Sequence, residues 1–141
     1  MIPAVPVIDS ELVQAVVRAF APGGPLARHE PGFSPRQEQD VMAAGIAGAL
    51  DAREALVVEA GTGVGKTLAY LVPLLLSGRR ALVSTATKSL QDQLFLRDLP
   101  RLRDALGVPV RMALLKGRAS YLCRWRLQQA EHSGQDRKSV V

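Results

Sequence analysis

The stretch Glu59-Ala60-Gly61-Thr62-Gly63-Val64-Gly65-Lys66-Thr67 constrains this chain more than any other. Its glycines reach backbone dihedrals that side chains disfavour, so the segment can curl with its N–H groups turned inward. Ala55 to Glu59 (ALVVE) precedes it as a compact apolar run suited to a buried parallel strand, and an apolar helix from about Gly65 to Ser77 follows. A glycine-rich turn leading into a helix N-terminus is an anion nest. Lys66 is placed to reach the β- and γ-phosphates of a nucleotide, and the Thr67 hydroxyl to ligate Mg²⁺. Ala60, Gly61, Thr62, Gly63, Val64, Gly65, Lys66 and Thr67 are therefore the expected phosphate site of ATP, with Lys66 and Thr67 as its catalytic members. Ala60 stands where the general G-x-x-x-x-G-K-S/T pattern has its first glycine. A ligand-free turn would share this composition, and kinases, transporters and GTPases share the loop.

Around the loop, the pattern predicts alternating elements. Glu11 to Phe20 reads as an amphipathic helix with Leu12, Val13, Val16, Val17 and Phe20 on one face. Ala21 to Pro25 reads as a linker. Ser34 as N-cap, Pro35 in the first turn and Gln37 beyond it predict a helix to about Leu50, burying Val41, Met42, Ile46 and Leu50. Pro73 falls inside the helix after the loop and Gly78 ends it. Ala81 to Ser84 and Val110 to Leu115 read as further strands. Lys88 to Arg97, Arg101 to Leu106 and Tyr121 to Glu131 read as helices. The expected fold class is α/β, a parallel sheet with crossover helices.

Composition narrows the setting. A single cysteine, Cys123, excludes an internal disulfide framework and fits a reducing cytoplasm. No apolar run approaches the roughly 20 residues of a membrane span, and the N-terminus has no basic leader. Residues 1–78 carry 5 Lys/Arg against 8 Asp/Glu, whereas residues 79–141 carry 13 against 5. A basic second half suits a polyanion such as nucleic acid, although a solvated basic surface would have the same composition.

Three further segments flank the loop: Phe33-Ser-Pro-Arg-Gln-Glu-Gln39, Ser84-Thr-Ala-Thr-Lys-Ser-Leu-Gln-Asp-Gln93 and Leu115-Lys-Gly-Arg-Ala-Ser-Tyr-Leu-Cys123. With the loop they resemble the XPD/DinG family of superfamily 2 iron–sulfur DNA helicases, most of all its YoaA-like bacterial branch, over about Pro25 to Gln129. The resemblance implies a truncated P-loop NTPase, the RecA-like first motor domain of an ATP-dependent 5′→3′ DNA helicase of the repair type. It implies that Phe33, Arg36 and Gln39 help to recognise adenine. Ser84, Thr85, Thr87 and Lys88 match the segment that grips single-stranded DNA, where hydroxyls and N–H groups at a helix start suit phosphates. Cys123 matches the first of four cysteines holding a 4Fe–4S cluster, which needs four thiolates where this chain has one. The implied cofactors are ATP and Mg²⁺, with the cluster in the full-length protein only. The implied partner is single-stranded or forked DNA, with no membrane and a monomeric full-length form.

The expected organisation is an N-terminal helix and linker (1–24), a partial ATP-binding domain (25–117) and the start of an iron–sulfur domain (118–135). Residues 136–141, Asp-Arg-Lys-Ser-Val-Val, have no counterpart in that family. They can be encoded by GAT-CGG-AAG-AGC-GTC-GTG, a common start of a sequencing adapter, so a non-native tail is expected, with a genuine polar tail as the other reading. No Asp-Glu-x-His stretch is present to hold Mg²⁺ and orient water. The expectation is thus an N-terminal fragment of a helicase that is inactive alone. A nucleotide-binding module without catalysis and a P-loop kinase or transporter are the alternatives.

Overall fold

Helices carry the structure throughout residues 10–133, the part of the chain that the computed structural model describes. Helix α1 (Glu11–Phe20) starts at Ser10, whose side chain accepts from the Val13 N–H at 3.1 Å. Its buried face is Val13, Val16, Ala19 and Phe20, while Val17 turns outward. The expected linker contains a short helix, α2 (Pro25–His29), with proline in its first turn.

Helix α3 (Gln37–Ala52) starts at Arg36 rather than at Ser34. Its buried face also differs from the expected one: Gln39, Ala43, Gly45, Ala47 and Gly48 are inside, and Val41 is exposed. Packing explains the change. α3 lies against both α1 and α4 (Lys66–Leu76), and small side chains let helix backbones approach where branched ones would hold them apart. In α4, Leu71, Val72, Pro73 and Leu75 are buried. Each large aliphatic side chain so buried contributes about 1.5–3 kcal/mol. Pro73 sits mid-helix, and its carbonyl still accepts from the Ser77 N–H at 2.9 Å. Gly78, at φ +62°, follows the helix as expected.

Helix α5 (Lys88–Gln93) passes into a π-helical turn (Leu94–Asp98) and then α6 (Leu99–Leu106), which ends on Gly107 at φ +65°. α6 packs on α2 and α4, closing a core in which Leu94 and Leu102 join the faces of α1, α3 and α4. Arg79 donates to the Leu50 carbonyl and pairs with Asp51 at 2.9 Å, tying the segment after α4 to the end of α3.

The expected parallel sheet is not what the chain forms. Among the described residues there is no strand, and the three apolar runs lie outside regular secondary structure. Val57 is 96% exposed, Leu82 91% and Leu115 81%, the reverse of a buried parallel strand. The physical reason is that a strand exists only with a neighbour that completes its hydrogen bonds. Apolar content supplied the propensity for these runs, but the helices close the core on one another instead.

The chain divides into two compact units, one up to Arg111 and one from Met112 onward. In the second, a 3₁₀ turn (Arg118–Ser120) precedes α7 (Arg124–Ser133), and the Lys116 N–H donates to the Tyr121 hydroxyl at 3.0 Å. The expected tail, 136–141, lies outside the described residues, as do residues 1–9 of the expected N-terminal segment.

Candidate functional site

The loop between residues 59 and 67 depends on two left-handed kinks. Gly63 has φ +83° and Gly65 φ +84°, conformations that cost an L side chain roughly 1–2 kcal/mol. Gly65 also begins α4, and its carbonyl accepts from the N–H groups of Leu68 and Ala69 at 3.1 and 3.2 Å. The N–H groups of Lys66 and Thr67 lie in the first turn of α4, where no intrahelical acceptor exists. They and the helix dipole favour an anion at this end.

Three side chains converge on the loop carbonyls. The Lys66 ammonium donates to Ala60 and Gly61 at 2.9 and 2.6 Å, so it lies over the first half of the loop. The Gln39 amide donates from Nε2 to Gly65 at 2.9 Å, and the Arg36 guanidinium donates to Gly63. Gln39 is 3% exposed and packs so closely that a Cβ at position 65 would overlap its amide. Beside it, Asp40 has a buried oxygen, Oδ1, without a hydrogen-bond partner among the described residues, and burial raises its carboxyl pKa. Thr67 is half-buried and shares a side-chain hydrogen bond with Tyr70. Burial raises the Tyr70 phenol, the bond to Thr67 opposes this, and the nearby charge of Asp98 adds to it.

The donor set fits nucleotide phosphates: one ammonium, a curled backbone and a helix N-terminus. It is also compatible with Mg²⁺, which keeps several waters and phosphate oxygens and would need as little as one protein ligand, for which the Thr67 hydroxyl is the candidate. The chain's own residues do not fit a four-iron cluster. Cys123 is exposed and is the one cysteine in the sequence, and no described group of three His, Cys, Asp or Glu could hold a metal ion.

The structure thus brings Arg36, Gln39, Ala60, Gly61, Gly63, Gly65 and Lys66 together. Phe33 is turned elsewhere, its ring 6.3 Å from that of Phe20 at 45°, against the core. Ser84, Thr85, Thr87 and Lys88 form the start of α5. Thr87 Oγ1 accepts from the Leu90 N–H and the Ser89 hydroxyl, both at 3.3 Å, and the Thr85 hydroxyl donates to the Thr87 carbonyl at 3.2 Å. Ser84, Thr87 and Lys88 are exposed. Sequence reasoning missed that Arg36 and Gln39 bind the loop itself, and that Tyr70 meets Thr67. For Thr67 and Tyr70 the signal was a three-residue spacing on one helix, whereas the bonds of Arg36 and Gln39 to a loop 27 and 26 residues away leave no local signal.

Comparison with known proteins follows the same residues. The DEAD/DEAH box helicase family matches residues 37–131. ATP-dependent DNA helicase YoaA of Escherichia coli (strain K12) is 50% identical over 117 residues, which are 83% of this chain and 18% of that protein. ATP-dependent helicase DinG of Mycobacterium tuberculosis (strain ATCC 25618 / H37Rv) is 51% identical over 100 residues, 65% of this chain and 15% of that protein. The 3'-5' exonuclease DinG of Bacillus subtilis (strain 168) is 36% identical over 115 residues, 79% of this chain and 12% of that protein. The chain therefore spans less than a fifth of the length of these relatives. No solved structure matches it. Among the described residues, no helix is long and apolar enough to cross a membrane.

Proposed function

Because this chain belongs to the DEAD/DEAH box helicase family, in its XPD/DinG branch, we propose that it forms the ATP-phosphate-binding part of an ATP-dependent DNA helicase. One observation carries this reading. The Lys66 ammonium sits at 2.9 and 2.6 Å from the carbonyls of Ala60 and Gly61, at the N-terminus of α4 and beside two left-handed glycines. In that position Lys66 exchanges carbonyl oxygens for phosphate oxygens with little movement. The backbone N–H groups of Gly63 to Thr67 take the β-phosphate, and the Thr67 hydroxyl takes a place in the Mg²⁺ shell. Bound Mg²⁺ supplies neutralisation of the charge that builds on the phosphate oxygens. Arg36 and Gln39 lie beside the loop, and the family resemblance gives their segment a part in recognising adenine. Phe33 belongs to the same segment.

Ser84, Thr85, Thr87 and Lys88 are proposed to hold the backbone of single-stranded DNA. The exposed Lys88 and the hydroxyls of an N-cap suit phosphate contacts, which fix position without reading sequence. Cys123 is proposed as one ligand of an iron–sulfur cluster in a protein that supplies three more thiolates. Strand separation, its direction and a role in DNA repair are proposals for the whole protein.

A second reading is a nucleotide-binding module without catalysis. Titration of the 141-residue chain with a fluorescent ATP analogue, run beside an ATPase assay, separates the two. Saturable binding that Lys66→Ala removes supports the phosphate site, and no binding by the native chain defeats it. Turnover above buffer that the same substitution abolishes defeats the non-catalytic reading.

A further inference from the structure

Tyr70 stands one turn after Thr67 on α4, so the two side chains share a face of the helix, and they share a hydrogen bond. The Tyr70 ring is half-buried against the core, which limits the directions its phenol can take. Near the phenol is the carboxylate of Asp98, the last residue of the π-helical turn. Asp98 is 13% exposed, and both of its oxygens are held. The Gln93 amide donates to Oδ2 and the Arg97 guanidinium to Oδ1, each at 2.9 Å. We propose that Tyr70 is a positioning residue, whose phenol holds the Thr67 hydroxyl in one orientation and so readies its oxygen for Mg²⁺. This inference rests on the reading of residues 60–67 as a nucleotide-phosphate site with Thr67 in the Mg²⁺ shell.

The physical case begins with the threonine. In a helix its side chain divides between two rotamers, because the hydroxyl can bond back to the carbonyl three or four residues earlier. For Thr67 those carbonyls are Val64 and Gly63, which belong to the phosphate loop. A bond to Tyr70 competes with that alternative and favours one rotamer. It also answers a second need. A hydroxyl has one proton and two lone pairs, and a metal ion takes a lone pair, so the proton requires an acceptor elsewhere. The phenolic oxygen supplies one. The charge of Asp98 favours a phenol proton turned toward it, which leaves the phenolic lone pairs to Thr67. A hydroxyl ordered before the metal arrives has less freedom to lose on binding, and affinity rises accordingly.

The test is titration of the 141-residue chain with a fluorescent ATP analogue, in Mg²⁺ and in EDTA. Native chain, Tyr70→Phe, Thr67→Ala and the double variant are compared, with a melting curve for each. Tyr70→Phe keeps the ring and removes the hydroxyl. Mg²⁺ is expected to tighten binding by the native chain, and Tyr70→Phe to lose roughly fivefold of affinity in Mg²⁺ and none in EDTA. In the Thr67→Ala background the same change is expected to have no further effect, because Tyr70 acts through Thr67. A tyrosine that only packs would weaken binding equally in both buffers, and that result overturns the proposal. So do unchanged affinity in both buffers, a full loss in the Thr67→Ala background, and native binding that Mg²⁺ leaves unaltered. A second measurement needs no variant. Three-bond couplings to the Thr67 γ-methyl carbon report its χ1, and one rotamer is expected in the native chain without nucleotide. Averaging over two rotamers overturns the proposal, and this result decides where Tyr70→Phe unfolds the chain. Failure of the native chain to bind the analogue in either buffer is a separate result, which removes the phosphate site and the role of Tyr70 with it.

Discussion

Two turns in this chain share one local plan and differ in how they are held. Each follows an apolar run outside regular secondary structure and leads into a helix: residues 59–67 into α4, and residues 84–88 into α5. The first is fastened from outside by Arg36 and Gln39 and from within by Lys66, and its helix buries Leu71, Val72 and Leu75. The second is held by its own hydroxyls, and its six-residue helix buries no residue. The lesson is that a turn becomes a preformed site when neighbouring elements satisfy its backbone. Left to its own side chains it stays an adaptable surface. That division suits a compact phosphate group in the first turn and a long polymer backbone at the second.

Substitutions can break this comparison, beginning with the largest effect. Leu71→Ala removes a side chain 1% exposed from the helix behind the first turn, and should lower unfolding stability by about 2–5 kcal/mol in denaturant titration. Leu82→Ala, in the run before the second turn, should change it by less than about 0.5 kcal/mol. A loss at Leu82 as large as at Leu71 would mean that the run is packed after all. Next is Lys66→Ala, which removes a charged donor from the loop and should weaken ATP-analogue binding roughly a hundredfold. A variant that still binds would make the loop a structural turn.

Gly65→Ala and Gly63→Ala sharpen the contrast within the first turn. Both place a Cβ at positive φ, at about 1–2 kcal/mol each. Only position 65 adds overlap with Gln39, because the space at position 63 is open. Binding or melting should therefore suffer more in Gly65→Ala, and equal losses would remove the close contact from the account. The smallest effect is at the second turn. Thr87→Ala deletes the cap on the Leu90 N–H and should cost about 1 kcal/mol of local helix stability, read as faster amide exchange in α5, with ATP-analogue affinity unchanged.

Much of the phosphate site was legible from residue order, because its determinants are local. Glycines at 63 and 65 permit the left-handed backbone that a tight turn before a helix needs, and a lysine and threonine at the next helix start follow the same logic. α1 was legible through its spacing of apolar residues and the end of α4 through Gly78. What failed was whatever depends on a partner. Ala55 to Glu59, Ala81 to Ser84 and Val110 to Leu115 have the composition of strands, yet composition carries no information about which neighbour completes a ladder. The buried face of α3 was misread because hydropathy ranks Val41 above Ala43, Ala47 and Gly48, whereas close helix packing selects the small residues. Helix α3 starts at Arg36, beyond the Ser34-Pro35 signal, and the Arg36 guanidinium reaches Gly63 from there. A bond across 27 residues of chain has no local signature.

Amide hydrogen exchange of the 141-residue chain, with and without ATP and Mg²⁺, tests the contrast between the two turns most directly. Slow exchange across residues 63–67 on ligand addition, with residues 84–88 exchanging as fast as before, is the predicted result. Protection that is equal in both segments, or absent from residues 63–67, would contradict it.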